Sequence, residues 1–174
     1  VAVADGKIAA IGRCPCPARL VIDAAGKAVT PGFIDIHRHA DAEVFREGFG
    51  TLELRQGLTT IVNGNCGLSA APIDGPCRQA VLDYLAPITG PVKDCVPTGS
   101  LEAYLRAADH RPLHTGMLAG AGTIRAAAAG YACQALDQGQ IRTIQRELER
   151  ALAEGALGVS LGLGYAPECF YTTE

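Results

Sequence analysis

Tryptophan is absent from this 174-residue chain, and aromatic residues make up only 5% of it. No apolar run approaches the roughly 18 residues that a membrane-spanning helix needs. Neither sign of charge dominates, because 15 basic residues stand against 18 acidic ones and leave a formal net charge of −3. We therefore expect neither a nucleic acid nor a membrane as a partner. The hydrophobic share of 48% is enough for a substantial core.

The first residues show neither the basic start nor the apolar core of a signal peptide. An initiating methionine is also missing, so we expect the chain to begin inside a longer protein. Seven cysteines occur at irregular spacings, and an odd number in a core-rich chain indicates reduced thiols rather than a disulfide framework. These features predict a cytoplasmic location. The cysteines are Cys14, Cys16, Cys66, Cys77, Cys95, Cys133 and Cys169.

The first 30 residues show a strand pattern and no helical period. Residues 1–11 predict a β-hairpin around the turn-forming pair Asp5-Gly6. Residues 20–23 predict a further short strand. Because this segment has too few apolar residues to form a domain alone, we expect it to be part of a small β-sandwich whose other strands lie elsewhere in the sequence.

Strand and helix patterns alternate from residue 31 onward. Predicted strands cover residues 33–36, 59–63, 113–118 and 156–163, and predicted helices cover residues 51–56, 101–108, 123–129 and 137–154. Five prolines between residues 68 and 99 indicate a long irregular excursion with one helical turn at most, near residues 81–85. The alternation of strands and helices predicts a parallel α/β sheet.

Two histidines close the first of these strands. Phe33, Ile34 and Ile36 are the apolar residues expected of a buried core strand. Side chains alternate faces along a strand, so His37 and His39 are predicted to point to the same side. A single histidine is more often a core residue, but two imidazoles on one face can bind one metal ion.

Cys66 follows the second predicted strand, within a Gly-Asn-Cys-Gly turn at residues 64–67. It therefore lies at the C-terminal end of its strand, as the two histidines do. Zinc accepts neutral imidazole and thiolate ligands, so His37, His39 and Cys66 are candidate ligands. The alternative for Cys66 is a small buried residue in a tight turn. Ligands after two strand ends favour a (β/α)8 barrel, of which four predicted strands would be half.

Other polar residues near these strands are expected to serve the backbone. Asp35 is predicted to anchor a turn. Asn63 and Asn65 could orient ligands or satisfy the turn backbone, and we favour the second role. His110 ends a helix and His114 opens the third strand, so both are expected to be structural or solvated.

Two sequence blocks resemble the amidohydrolase superfamily, namely PGFIDIHRH at residues 31–39 and QGLTTIVNGNCG at residues 56–67. The first block indicates only the superfamily. The Gly-Asn-Cys-Gly turn in the second is typical of the D-aminoacylase branch, the N-acyl-D-amino-acid deacylases. A third block, GALGVSLGLGYAP at residues 155–167, is similar to a block of the same branch. The resemblance covers nearly the whole chain, as the N-terminal part of such an enzyme.

The resemblance implies a metal-dependent hydrolase on a TIM-like (β/α)8 barrel, preceded by strands of a small β-sandwich. Residues 1–30 would belong to the sandwich and residues 31–174 to the first half of the barrel. His37 and His39 match the first-strand ligands of one or two zinc ions, Cys66 matches a zinc-ligating cysteine, and Tyr165 matches a tyrosine near the substrate. Two further histidine ligands and the catalytic aspartate would come from later strands, and no residue here matches them.

One loop departs from the family pattern, because Gly120-Ala121-Gly122 stands where the family usually has Gly-His-Ser. The loss of that histidine bears on substrate specificity. The expected function is zinc-dependent hydrolysis of a linear amide bond, with an N-acyl-D-amino acid as the small-molecule substrate. The alternatives are a cyclic-amide hydrolase or deaminase of the same superfamily, and a non-catalytic metal-binding or scaffold protein.

The rival functions differ in how they fit Cys66. Cyclic amidases of the superfamily usually bridge two metals with a modified lysine, so the cysteine speaks against them. A scaffold protein would need no ligands at all. An open half-barrel would expose strand edges and an apolar face, so we expect the 174 residues alone to fold poorly and to be inactive.

Overall fold

A computed structural model of the protein describes residues 1–132 and 135–172. The chain divides into two compact units, Val1–Pro31 and Gly32–Glu174. Six cysteines lie among the described residues and all six are free thiols, while the predicted thiol of Cys133 lies outside them. None of the described helices is long and apolar enough to cross a membrane.

The first unit contains the predicted hairpin. Strands β1 (Ala2–Ala4) and β2 (Lys7–Ala10) pair antiparallel. Asp5 and Gly6 join them with φ values of 50° and 72°, the left-handed conformation that a two-residue hairpin turn requires. The strand predicted at residues 20–23 is wrong. Its three apolar side chains are largely exposed, and no strand among the described residues pairs with it.

The second unit is a mixed α/β structure, which confirms the α/β part of the predicted fold class. Strands β3 (Phe33–Asp35), β4 (Leu58–Asn63) and β5 (His114–Met117) form a parallel sheet in that order. Strands β6 (Ala119–Gly120) and β7 (Val159–Ser160) form a parallel pair. Neither sheet closes within the described residues, so the structure does not show the predicted barrel. The helices are α1 (Thr51–Arg55), α2 (Arg78–Thr89), α3 (Leu101–Ala108), α4 (Ala121–Ala129) and α5 (Gln138–Ala153).

Local capping signals explain why the predicted helices begin where they do. The Ser100 side chain accepts a hydrogen bond from the Ala103 amide (3.2 Å) at the start of α3. At the start of α5, Asp137 accepts from the Gln140 amide (2.8 Å) while the Gln140 side chain accepts from the Asp137 amide (3.0 Å). This reciprocal pair is a capping box, and it satisfies two amides that the helix itself leaves without partners.

Three predictions for the second unit need correction. Helix α2 has 12 residues where one turn was expected, because its first turns contain no proline and its Pro87 lies only near the C-terminal end. Strand β7 has two residues where residues 156–163 were predicted, since only these pair with β6. Strand β3 forms as predicted but is not buried. It is an outer strand, and the described residues leave Phe33, Ile34 and Ile36 more than half exposed.

Two apolar clusters support the sheet and its loops. The larger cluster joins the start of the loop after β3 to helices α3, α4 and α5. The smaller cluster joins the loop after β4 to helices α2 and α4, which places a packed core next to the loop that carries Cys66. Its buried members are Leu68, Ile73, Val81, Leu85, Ala126 and Ala127.

Candidate metal centre

The two histidines leave strand β3 where its backbone continues alongside β4. The His37 amide donates to the Asp35 side chain (3.1 Å), and the Arg38 amide donates to the Val62 carbonyl (3.1 Å). The first bond is the turn-anchoring role predicted for Asp35. The imidazole rings of His37 and His39 lie near each other, with centroids 5.5 Å apart and planes 73° apart.

Cys66 meets the histidines from the loop after β4. Its backbone has a left-handed φ of 58°, and its Sγ lies 3.3 Å from Nε2 of His37. One ligand atom from each of His37, His39 and Cys66 can be chosen so that all three lie within 4.8 Å of one another. His37 is exposed, whereas His39 and Cys66 are half-buried. The cluster is therefore open to solvent on one side.

The chemistry of the three donors fits a zinc ion. Burial, with a smaller contribution from neighbouring His37, lowers the pKa of His39 below its ordinary value and so favours the neutral imidazole that a metal needs. The buried Nδ1 of His39 has no hydrogen-bond partner within the described ranges. Two imidazoles and one thiolate are a ligand set that zinc accepts with a further position left open.

Two asparagines connect the ligand-bearing loops. The Asn65 side-chain amide donates to the Arg38 carbonyl (3.2 Å) and the Val62 carbonyl (2.8 Å). The Asn63 carbonyl oxygen accepts from the Ala40 amide (3.1 Å). Both side chains satisfy backbone groups, as predicted, and they thereby join the histidine segment to the strand and loop that precede Cys66.

Arg38, between the histidines, turns to the opposite side. Its guanidinium contacts the carboxylate of Glu53 on α1 at 2.5 Å and that of Asp35 at 3.5 Å. Side chains alternate along the extended segment, so Arg38 points away from the side on which His37 and His39 lie. Helix α1 therefore contacts the histidine segment on the side opposite the three candidate ligands.

Asp41 is a residue whose position the sequence analysis missed. It is fully buried, and burial raises the pKa of its carboxyl group to about 7 despite a hydrogen bond from the Ala70 amide (3.1 Å). Tyr104 donates to its backbone carbonyl (2.8 Å). The one signal for this residue is its place two positions after His39, which does not distinguish it from an exposed loop acid.

Tyr165 lies beside the cluster rather than in it. Its hydroxyl donates a hydrogen bond to the backbone carbonyl of Cys66. Burial, helped by Cys66 and Glu168, raises the pKa of Tyr165 to about 12, so the phenol remains a donor at neutral pH. His110 and His114 are exposed and do not belong to the three-residue cluster.

Ala121 is the first residue of α4, and its side chain is buried. The next residue, Gly122, lies against the loop that carries Cys66, because a β-carbon there would lie 2.9 Å from the Gly67 carbonyl oxygen. The position where the chain departs from the family pattern is thus packed against the cluster's supporting loop.

Comparison with known proteins finds several deacylases that align with nearly the whole chain. A scan against protein-family models finds no match. The D-aminoacylase of Alcaligenes xylosoxydans xylosoxydans is 33% identical over 181 residues, which cover 99% of this chain and 35% of that enzyme. The chain spans about a third of the length of the curated relatives it matches.

Solved structures give the same result. N-acyl-D-glutamate deacylase from Bordetella bronchiseptica, solved with zinc and a phosphonate mimic of the reaction's tetrahedral intermediate, matches with a TM-score of 0.73 and 33% identity over 86% of this chain and 31% of that one. A D-aminoacylase structure described by its binuclear metal centre matches with a TM-score of 0.66 and 32% identity, over 82% of this chain and 30% of that one. The resemblance seen in the sequence is therefore confirmed: the chain belongs to the D-aminoacylase branch of the amidohydrolases and corresponds to the N-terminal part of its members.

Proposed function

We propose that His37, His39 and Cys66 bind zinc in an enzyme that hydrolyses a linear amide bond, and that its substrate is an N-acyl-D-amino acid. The observation that carries this proposal is the convergence of the three ligand atoms within 4.8 Å from two separate strand ends. The relatives support the substrate class, since they include a D-aminoacylase and an N-acyl-D-glutamate deacylase. One or two ions would be bound, and the products would be a carboxylate and a free D-amino acid.

The chain's own residues would prepare the site for this reaction. Zinc, when bound, supplies a Lewis acid that polarises an amide carbonyl and lowers the pKa of water toward ~7. Neutral His39 is a suitable donor, and Cys66 would bind the zinc as a thiolate. The open side at His37 would leave room for the substrate. The hydrogen bond from the Asn65 side chain to the Arg38 carbonyl joins the two segments that carry the ligands.

Two parts of the mechanism remain expectations from the resemblance. The half-exposed ring of Tyr165 would contact the substrate while its hydroxyl holds the Cys66 carbonyl. The general base would be an aspartate contributed from outside this sequence. It would accept a proton from water and pass it to the leaving amine.

The test uses the full-length protein. Zinc content is measured by mass spectrometry, and release of the free amino acid is measured for N-acetyl-D-amino acids and their L-enantiomers. We expect about one or two zinc ions per chain and hydrolysis of the D-enantiomers only. Cys66→Ala should lose zinc and activity together, whereas Cys95→Ala, at an exposed cysteine, should keep both. Retention of both by Cys66→Ala would exclude the ligand assignment.

Assays of the same protein with other substrates separate the rival functions. Release of ammonia from a heterocyclic amine would indicate a deaminase, and opening of a cyclic amide would indicate a cyclic-amide hydrolase. Zinc without turnover of any amide would indicate a non-catalytic metal-binding protein. Each of these outcomes would contradict the proposed deacylase activity while leaving the family assignment intact.

A further inference from the structure

Cys66 adopts a backbone conformation that its surroundings must impose. Cys66 and Asp5 are the two described non-glycine residues with positive φ, and Asp5 belongs to a tight hairpin turn. The left-handed conformation is unfavourable for a residue with a β-carbon, and it persists only where neighbouring contacts determine it.

The segment of residues 160–168, which begins with the last residue of β7, supplies those contacts. The Ser160 hydroxyl accepts from the Gly67 amide (2.9 Å) and donates to the Gly64 carbonyl (2.5 Å), so it holds both ends of the Cys66 loop. The Tyr165 hydroxyl donates to the Cys66 carbonyl itself. Three backbone groups of the loop, on Gly64, Cys66 and Gly67, are thus hydrogen-bonded to two side chains from one distant segment.

Glu168 anchors this segment against the loop. Its side chain is buried, and its Oε2 accepts from the Gly162 amide (2.8 Å). A β-carbon at Gly122 would lie 2.6 Å from the same oxygen, and one at Gly67 would overlap it. The carboxylate therefore occupies the space that these two glycines leave free, and one of them directly follows Cys66.

A buried cation lies near this buried carboxylate. Arg125 on α4 is almost completely buried, and its guanidinium lies 4.6 Å from the centre of the Tyr171 ring. Burial raises the pKa of Glu168, and the Gly162 amide and the charge of Arg125 act in the opposite direction. A buried carboxylate needs partners of this kind, because burying an unpaired charge would be strongly unfavourable.

We propose that Glu168 is a positioning residue for the metal ligand Cys66. It holds the segment of residues 160–168 against the loop, and that segment in turn holds the left-handed backbone from which Sγ meets the histidines. The proposal rests on the proposed function, because Cys66 must be a metal ligand for its position to matter. Neither the ligand spacing nor the resemblance to the amidohydrolases assigns any role to Glu168.

The experiment measures cobalt binding to the metal-free full-length protein. A thiolate bound to Co²⁺ gives a charge-transfer absorption band, and loss of that band in Cys66→Ala assigns it to this residue. We expect Glu168→Gln to raise the Kd for Co²⁺ by about 10–100-fold, as for other outer-shell partners, and to weaken the band at saturation. Gly122→Ala should act in the same direction, because its β-carbon displaces the carboxylate without changing its charge.

Two control variants separate positioning from general stability. Glu149→Gln, at an exposed glutamate of α5, should leave the Kd and the band unchanged. Ile144→Val, in the larger cluster, should lower the Tm without changing the Kd for Co²⁺ or the absorption band.

The outcomes distinguish the two proposals. Wild-type Kd and band intensity in folded Glu168→Gln would overturn the positioning role alone, and if that variant does not fold, the same result for Gly122→Ala would overturn it. Absence of a thiolate band in the wild-type protein would instead overturn the proposed metal centre, and the positioning role with it.

Discussion

The side-chain amide of Asn65 donates a hydrogen bond to the carbonyl of Arg38, the residue between the two candidate histidine ligands (3.2 Å). The same nitrogen donates to the Val62 carbonyl (2.8 Å). One buried side chain thus joins the end of β3 to the end of β4. The spacing between the histidines and Cys66 depends in part on this junction, because it joins the two segments next to the candidate ligands.

Asn65→Asp should break this junction with almost no change in volume. The variant replaces a donor with a carboxylate oxygen that faces two carbonyl oxygens. We expect a loss of about 1–3 kcal/mol in the free energy of unfolding and zinc affinity about 10–100-fold weaker. Gln145→Glu, the same chemical change on the exposed face of α5, is the control and should alter neither value. Unchanged zinc affinity in folded Asn65→Asp would contradict the role of this junction.

The Arg38–Glu53 ion pair should contribute more than an exposed pair of the same length. Both this pair and Arg106–Glu102 have N···O distances of 2.5 Å, but their side chains are 31% and 11% exposed in the first pair and 79% and 53% in the second. A partly buried pair is less screened by water. A double-mutant cycle with Arg38→Met and Glu53→Gln should give a coupling energy of about 1–3 kcal/mol.

The comparison cycle uses Arg106→Met and Glu102→Gln, and it should give about 0.3–0.5 kcal/mol. Urea denaturation of the full-length protein supplies both values. Equal coupling energies in the two cycles would show that α1 does not hold the histidine segment through this pair. A larger value at Arg38 should also be accompanied by weaker zinc binding in Arg38→Met, since that segment carries both histidines.

The stability of the protein should depend on pH through Glu168. Burial raises the pKa of this carboxyl above its ordinary value of 4.5, so the folded state keeps its proton to a higher pH than the unfolded chain does. The free energy of unfolding should therefore fall as pH rises from about 4.5 through the folded-state pKa. Glu168→Gln cannot titrate, so the wild-type protein should lose stability relative to this variant across that window.

Urea denaturation of the metal-free protein at a series of pH values measures this difference directly. Glu149→Gln, a change at an exposed glutamate, keeps Glu168 and is the matched control, so its stability should follow that of the wild type at every pH. A wild-type protein that gains stability relative to Glu168→Gln as pH rises would mean that Arg125 and the Gly162 amide outweigh burial. That result would mean that folding lowers the pKa of Glu168 instead of raising it.

Local signals in the sequence predict much of the fold. Ser100 and Asp137 mark the starts of α3 and α5, and Gly57 ends α1 with the left-handed φ of 83° that such a position favours. The meeting of His37 with Cys66 could also be anticipated, because the C-terminal ends of neighbouring parallel strands lie at one edge of a sheet. Metal binding by these residues remains a prediction.

Long-range contacts account for what the sequence analysis missed. Glu168 follows no periodic pattern, and its importance lies in its contact with glycines from two other segments. Asp41 appears in the sequence as one acid of a polar loop, although the fold buries it completely. The exposed side chains of β3 show the converse, because an apolar strand predicts burial only when other elements cover it.

Helix α2 offers the sharpest test of the corrected fold. Its residue Leu85 is fully buried in the smaller cluster with Ala126 and Ala127 of α4, whereas Ile88 on the same helix is 40% exposed. Leu85→Ala should reduce the free energy of unfolding by about 2–5 kcal/mol, because it leaves a cavity in a packed cluster. Ile88→Ala removes a similar side chain from a site that solvent already reaches, so its cost should be well below that.

Urea denaturation of the full-length protein, followed by circular dichroism, compares the two variants. Similar small costs at both positions would mean that residues 78–89 do not pack as a helix on α4. A large cost at Leu85 alone would support the packed helix. Since Leu68 of the same cluster lies two residues after Cys66, zinc binding should weaken in Leu85→Ala and not in Ile88→Ala.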